Sequence, residues 1–276
     1  FGAYASAAYI GTRNNYPFYF FINSSEKARF DTSGRLLIGT TSASGSNLLQ
    51  VNSDASINSV GVGRGGGSLV SNTIVGVNAL VGNTTGVNNV AVGTLAASNG
   101  NGSSNTVVGY YAAYSIGNAS SVTAIGTQAL YIGGGTPTAS VAVGAAALYQ
   151  TSGAYNTAVG TNAGVYNTTG ANNTLIGYQA LYSNTTASNN IAVGYQAGYT
   201  NTTGAQNVAI GNYALYNNTT ASYNTAIGHG AGYSNTTGSV TAVGANALFY
   251  NTTGTDNVAV GGYSGASGWQ AALYNN

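Results

Sequence analysis

The 276-residue chain has no cysteine and no methionine, only 2 prolines and 1 tryptophan, and only 3% charged residues. Without cysteine there is no disulfide framework, no thiol nucleophile and no soft metal ligand. Globular chains ordinarily carry about a quarter of their residues charged, a proportion this chain falls far below. After Arg64 the only charged residue is Asp256, accompanied by a single histidine, His229. Nucleic-acid binding, which draws most of its affinity from Lys and Arg neutralising phosphates, is therefore excluded. No apolar run approaches the roughly 20 residues that span a bilayer, so no membrane insertion is expected. The missing initiator methionine, and an end that stops inside a repeat unit, lead us to expect a segment of a longer polypeptide.

What the chain does have is 42 glycines, 22 tyrosines, many Asn and Thr, and 43% hydrophobic residues. The apolar residues recur on a strict period, which argues for packing rather than for a disordered low-complexity tract. Units such as NTAVG and NVAIG close on Gly76, Gly93, Gly109, Gly126, Gly144, Gly160, Gly177, Gly194, Gly211, Gly228, Gly244 and Gly261, at spacings of 16 to 18. Twelve coils follow.

Each position of the repeat forms its own row. Immediately before the glycine stands Val or Ile, including Val159, Ile176, Val193, Ile210, Ile227, Val243 and Val260. We expect this row to be the buried core ladder. Two before it is usually Ala (Ala158, Ala192, Ala209, Ala226, Ala242, Ala259), a small face that would let other copies approach closely. Four before it is Asn in nine coils, among them Asn156, Asn173, Asn190, Asn207, Asn224 and Asn257. Stacked about 4.8 Å apart, these amides are expected to hydrogen-bond to one another as a ladder. Five after it runs an aromatic row that includes Tyr182, Tyr199, Tyr216 and Tyr233. Aromatic rings stack on sugars, so these four are the candidate glycan or receptor contacts, against the plainer reading of a structural ladder.

A second period lies over the first. The residue four after the glycine alternates as Gly164, Leu181, Gly198, Leu215, Gly232 and Leu248, which predicts that each Leu fills the gap left by the Gly of a neighbouring coil. The true unit is a pair of coils, 34 residues. Helical repeats share that length, but Val, Ile, Thr, Gly and Asn stand where helices want Leu, Glu, Lys and Ala. The pattern predicts an all-β fold: a parallel β-solenoid over residues 69–276, of about 12 short coils with two strands and two tight turns each. Residues 1–68 break the repeat and read as a small β adaptor module, with strands at YPFYFFI, KARF, RLLIG and NLLQV and a junction at GRGGGS.

Catalysis has no support in the residue types. A glycosidase or lyase needs paired carboxylates or an equivalent acid and base, and Asp256 has no acidic partner in the repeat region. A metal site needs several donors and a calcium solenoid needs rows of Asp; neither is present, and no cofactor is implied. His229 reads as ordinary packing unless an oligomer axis gathers copies of it. The seven NTT triplets are formal glycosylation sequons, read here as turns. A third class, an ice-binding solenoid, would need a flat Thr-x-Thr face, which adjacent Thr residues in a turn do not supply.

The NTAVG and NVAIG units resemble the repeats in the head of trimeric autotransporter adhesins, in which each chain forms a left-handed parallel β-roll and three rolls pack about an axis. The coil here is longer, with an NTTG turn and a Tyr that those repeats generally lack. The stretch EKARFDTSGRLLIGTTSASGSNLLQVN is similar to a segment of bacteriophage tail-fibre proteins that precedes NTTG-type repeats. Together the resemblances imply a homotrimeric virion fibre segment, extracellular and non-catalytic, that contacts other tail proteins and a host-surface glycan or protein receptor. The alternative they leave is a cell-surface adhesin head on the bacterial outer surface. A thin coil that buries little by itself gives oligomerisation an independent physical motive.

Overall fold

A computed structural model of the chain describes residues 2–4, 7–9, 15–40, 49–51, 54–69, 71–131, 135–262 and 272–274. The chain divides into two compact units, Phe1–Ile57 and Asn58–Asn276.

In the first unit an antiparallel hairpin joins Phe18–Ile22 to Ser25–Phe30, followed by Leu36–Ile38 antiparallel and Leu49–Val51 parallel. The four strands match those expected from the sequence. The tight turn at Asn23 and Ser24 has both φ values positive (49° and 58°), the geometry that matches strand twist in a two-residue hairpin. Asp31 organises the next turn: its Oδ1 accepts the N–H groups of Ser33 and Arg35 at 2.9 Å, and its Oδ2 accepts from Arg35 Nε at 2.6 Å. Glu26 and Arg29 form a second ion pair at 2.6 Å, and the Arg29 guanidinium lies 5.1 Å from the Tyr19 ring centroid. Leu37 is the one buried side chain among those described in this unit, while Phe20, Phe21, Ile22 and Phe30 are exposed.

The second unit is a parallel β-solenoid of about eleven turns. Twelve short strands, from Thr73–Gly76 to Asn257–Val260, pair in sequence order and in register, so that Thr174, Leu175 and Ile176 oppose Ile191, Ala192 and Val193. Among the described residues of this unit, antiparallel pairing is found at the ends of the stack, Val60–Gly63 against Thr73–Gly76 and Ala272–Tyr274 against Asn257–Val260. The unit thus begins before the GRGGGS junction, because Val60–Gly63 already belongs to its sheet and Gly66 is tied to the first coil by its N–H bond to Leu80 O at 3.0 Å.

Each coil contributes one strand to the sheet, not two. The return limb carries left-handed residues two and four after the glycine, as at Gln179 (φ 54°) and Leu181 (φ 46°), and these break an extended run. Its backbone still bonds from coil to coil, with Gln179 N–H to Thr161 O at 3.1 Å and Leu181 N–H to Ala197 O at 2.9 Å. The repeated glycine is fixed by space: a Cβ on Gly177 would lie 2.3 Å from the carbonyl oxygen of Gly194, at φ +137°.

The core ladder is the reverse of the one expected. Val159, Ile176, Ile210 and Ile227 keep 38–41% of their surface exposed and Val260 keeps 61%; Val193 and Val243 are half-buried. All seven are on the outer face of the sheet. The Ala row points inward instead, with Ala158, Ala192, Ala226, Ala242 and Ala259 at 0% and Ala209 at 2% exposed. The physical reason is thickness: a sheet facing a tight return limb leaves room for a methyl group, and the larger side chain must face out. Three coils carry a larger residue in that row, Ile74, Val107 and Leu175, all of them buried; Leu175 fills space beside Gly164, where an added Cβ would be 3.3 Å from its Cδ2. The alternation packs as expected: a Cβ on Gly198 would be 3.0 Å from Leu181 Cδ1, and one on Gly232 would be 3.0 Å from Leu215 Cδ2.

Two buried Asn rows complete the interior. Asn156, Asn173, Asn190 and Asn224 are 0–1% exposed and Asn207 is 5%. Their amide oxygens mostly accept the backbone N–H of the next Asn (Asn173 to Asn156 at 3.0 Å, Asn190 to Asn173 at 2.9 Å, Asn207 to Asn190 at 2.9 Å). Within that row, Asn224 Nδ2 to Asn207 Oδ1 at 3.0 Å is the amide-to-amide contact, and half-buried Asn257 bonds sideways to Asn251 at 2.9 Å. The true amide ladder is the NTT row: Asn184 to Asn167 at 2.6 Å, Asn201 to Asn184 at 3.1 Å, Asn218 to Asn201 at 3.0 Å. Both rows converge on one carbonyl per coil, as where Ala187 O accepts from Asn173 at 2.9 Å and Asn184 at 3.0 Å. Buried polar groups are tolerated because almost every one is paired.

Candidate functional site

Three surfaces run along the solenoid. The first is the outer face of the sheet, built by two rows of β-branched residues that strand alternation sends outward. One row is all Val or Ile. The other mixes Thr with Val and Ile, and its Val90 and Ile191 are 38% and 40% exposed.

The second surface is the aromatic column. Tyr182, Tyr199, Tyr216 and Tyr233 are half-buried, with centroids 5.1–5.2 Å apart and planes within 4–5° of parallel, and Phe249 continues the stack at 4.7 Å. The four candidate contact residues are thus brought together, but their ring faces cover one another and only edges and hydroxyls are left for a ligand. The column is interrupted where Val165 replaces the aromatic; there Tyr166 meets Tyr182 edge-on at 5.1 Å. The hydrogen bond with Tyr166, followed by burial, raises the Tyr182 pKa above the ordinary phenol value, and burial followed by the neighbouring phenols does the same at Tyr216.

Sequence reasoning missed two further aromatic residues. Tyr111 and Tyr213 stand two after the glycine, where most other coils have Asn or Gln (Asn78, Gln128, Asn162, Gln179, Gln196 and Asn246) and three have Leu95, Ala146 and Gly230. Each meets the column at an angle. Tyr111 lies 5.0 Å from Tyr114 and 5.9 Å from Tyr131, both tilted 48°, and 4.5 Å from Tyr110 at 81°. Tyr213 lies 5.8 Å from Tyr216 at 64°, 6.2 Å from Tyr233 at 65° and 5.2 Å from Tyr195 at 73°. His229 sits 6.0 Å from the same ring at 81°, which gives it a packing role. The signal was available as a departure from the row's own Gln and Asn preference.

The third surface is the NTT turn. Its Asn residues are internal, and their Nδ2 atoms, the atoms glycosylation would need, are engaged in the ladder and with the residue three along, as Asn201 is with Gly204 O at 2.9 Å. The first Thr of each turn bonds the next coil, Thr185 Oγ1 to Thr202 O at 2.9 Å and Thr202 Oγ1 to Thr219 O at 3.0 Å. Among the described residues no group of three His, Cys, Asp or Glu could hold a metal ion, and no helix is long and apolar enough to cross a membrane. Asp256 is bonded to Ser239 at 2.8 Å. None of the known family models matches the chain, and neither does any curated protein or solved structure.

Proposed function

We propose that the chain is a non-catalytic structural segment of a bacteriophage tail fibre that acts as a homotrimer, joins other tail proteins and carries recognition of a host-surface receptor. The observation that carries this reading is the β-branched outer face of the sheet. With about 4.8 Å per coil and two rows some 7 Å apart, that face carries an unbroken Val and Ile row roughly 50 Å long, flanked by the row that mixes Thr with Val and Ile. Monomers rarely expose contiguous apolar patches beyond a few hundred Å²; at about 50 Å by about 7 Å the strip spans roughly 350 Å², a core that flanking surface would extend toward the roughly 800 Å² per partner of a stable interface. Side-by-side copies would cover it along its whole length, since every coil presents the same row. The exposed Phe20, Phe21, Ile22 and Phe30 of the first unit ask for cover in the same way. The trimer contact therefore belongs to the Val and Ile row, not to the Ala row.

Rigidity suits a fibre: satisfied amide ladders and a backbone bonded coil to coil leave little to flex, and a nearly uncharged rod changes little with ionic strength. The cell-surface adhesin head shares this architecture, and the two readings differ in where the chain resides. Mass photometry of the chain tests the assembly, with three copies expected and a stable monomer overturning it. Immunogold labelling of phage particles tests the location; gold on the cell envelope and none on tails would favour the adhesin.

A further inference from the structure

The solenoid repeats its rows so faithfully that departures stand out, and the sharpest are Tyr111 and Tyr213. Both have left-handed backbones, φ 54° and 61°, a conformation uncommon for a bulky residue and costing about 1 kcal/mol relative to the extended or helical regions. Six other coils place Gln or Asn there and three place Leu, Ala or Gly, so the fold does not require an aromatic ring. Each Tyr ring meets the aromatic column at an angle and forms a corner with it. Tyr213 has four ring partners, Tyr195, Tyr216, Tyr233 and His229, and none lies parallel to it. Tyr111 repeats the corner six coils away with Tyr110, Tyr114 and Tyr131.

We propose that the corners centred on Tyr111 and Tyr213 are binding subsites for neutral pyranoside rings of a surface glycan. A pyranoside offers an apolar C–H face to an aromatic ring and a rim of hydroxyls to phenols and amides. The Tyr213 corner has both complements: tilted rings, and amide groups beside them, where Asn212 Oδ1 accepts the Tyr195 N–H at 3.1 Å and Gln196 Nε2 donates to Gln179 at 2.7 Å. Sugar acids and phosphorylated glycans find no cation, because no Lys or Arg follows Arg64. Burial, then the charge and hydrogen bond of Tyr110, raises the Tyr111 pKa, which keeps that phenol a neutral donor. The two corners are about 29 Å apart at 4.8 Å per coil, so one long glycan or several copies of the chain could add weak contacts into useful avidity.

This inference gives the proposed receptor contact a location, but its test needs only the isolated chain. Saturation-transfer NMR would use the full chain with the methyl glycosides of glucose, galactose, mannose and rhamnose, and with choline as a cationic probe. At least one pyranoside should receive saturation at its C–H protons. That signal should be lost in Tyr111→Gln/Tyr213→Gln, whose replacements copy neighbouring coils, and kept in Tyr111→Phe/Tyr213→Phe and in Tyr155→Asn/Tyr223→Asn, which removes exposed tyrosines elsewhere. No transfer to any of the four sugars, a signal that survives the Gln pair, or preference for choline would each overturn the proposal. A trimeric chain that binds no pyranoside would leave the fibre reading standing and remove only this site.

Discussion

Replacing Leu215 by Ala, alone and together with Gly232→Ala, probes the packing that alternates along the interior. Leu215 is 1% exposed, and a Cβ built on Gly232 would lie 3.0 Å from its Cδ2, 3.6 Å from Val240 Cγ2 and 3.7 Å from the Ala226 Cβ. Leu215→Ala should cost about 3 kcal/mol, as buried Leu truncations do. Gly232→Ala adds a methyl at φ +58°, with a backbone cost of about 1 kcal/mol and about 1 to 2 kcal/mol more from crowding against Leu215. That backbone tolerates Ala elsewhere: Ala97 and Ala113, at the same place in their coils, have φ 49° and 46°. In the double variant the new methyl enters the space that the Leu vacates. The crowding disappears and the cavity shrinks, so the double variant should be more stable than the sum of the singles predicts by about 1 to 2 kcal/mol. Denaturant titrations at one protein concentration, followed by tyrosine near-UV circular dichroism, would measure all four corners of the cycle. Additivity within about 0.5 kcal/mol would show that Leu215 does not occupy the gap over Gly232, and the alternation would need another cause.

Ala209→Asp should destabilise the solenoid by several kcal/mol because it buries an unpaired charge. Ile210→Asp, one residue along on the outer face, should leave each coil folded but separate the chains; equal melting losses, with assembly intact in both, would refute the inward and outward assignment. Asn201→Ala strands the Asn184 amide oxygen and the Gly204 carbonyl and should cost about 1 to 3 kcal/mol, read as a lower denaturation midpoint; no change would mean the ladder is not stabilising. Asp31 is itself pushed upward by desolvation, but hydrogen bonds from Arg35 and Ser33, with the Arg35 charge, outweigh this and lower its pKa. A depressed carboxylate contributes stability that is present above its unfolded value of 3.8 and lost as pH falls through the folded one. The first unit should therefore lose stability in acid below about pH 4, less so in Asp31→Asn; equal acid midpoints would exclude the contribution. The raised tyrosines act oppositely: their contribution is full below the unfolded phenol value of 10.0 and lost as pH rises through the folded values, so an alkaline melting loss above about pH 10 is expected, and its absence would contradict the burial of the column.

The period, the coil boundaries, the parallel stacking and the stacked Tyr row were all determined by the sequence alone, because a short repeat held in register forces like residues onto like neighbours. The Leu and Gly alternation was legible for the same reason, since complementary volumes in adjacent coils have one close-packed arrangement. Only the tertiary structure decided which face of the strand is inside. A Thr-Ala-Val strand alternates equally well either way, and hydrophobicity favours burying the Val; the narrow gap to the return limb overrides it and admits Ala in nine of twelve coils, with a larger side chain where the neighbouring coil leaves space, as for Leu175 beside Gly164. The return limb was misjudged as a second strand because left-handed conformations at Gln179 and Leu181 are imposed by the closure of the coil and not by the propensities of Gln or Leu. The Asn row four before the glycine was legible, but not its pairing, and the NTT asparagines read only as turns, since whether an amide oxygen meets an amide or a backbone N–H depends on how the coil turns at that corner. Tyr111 and Tyr213 had no significance as two more tyrosines in a chain of 22. They acquired it when the fold set Tyr111 at 48° to Tyr114 and Tyr131, and Tyr213 at 64–65° to Tyr216 and Tyr233, which is a relation between coils and therefore not written in any one of them.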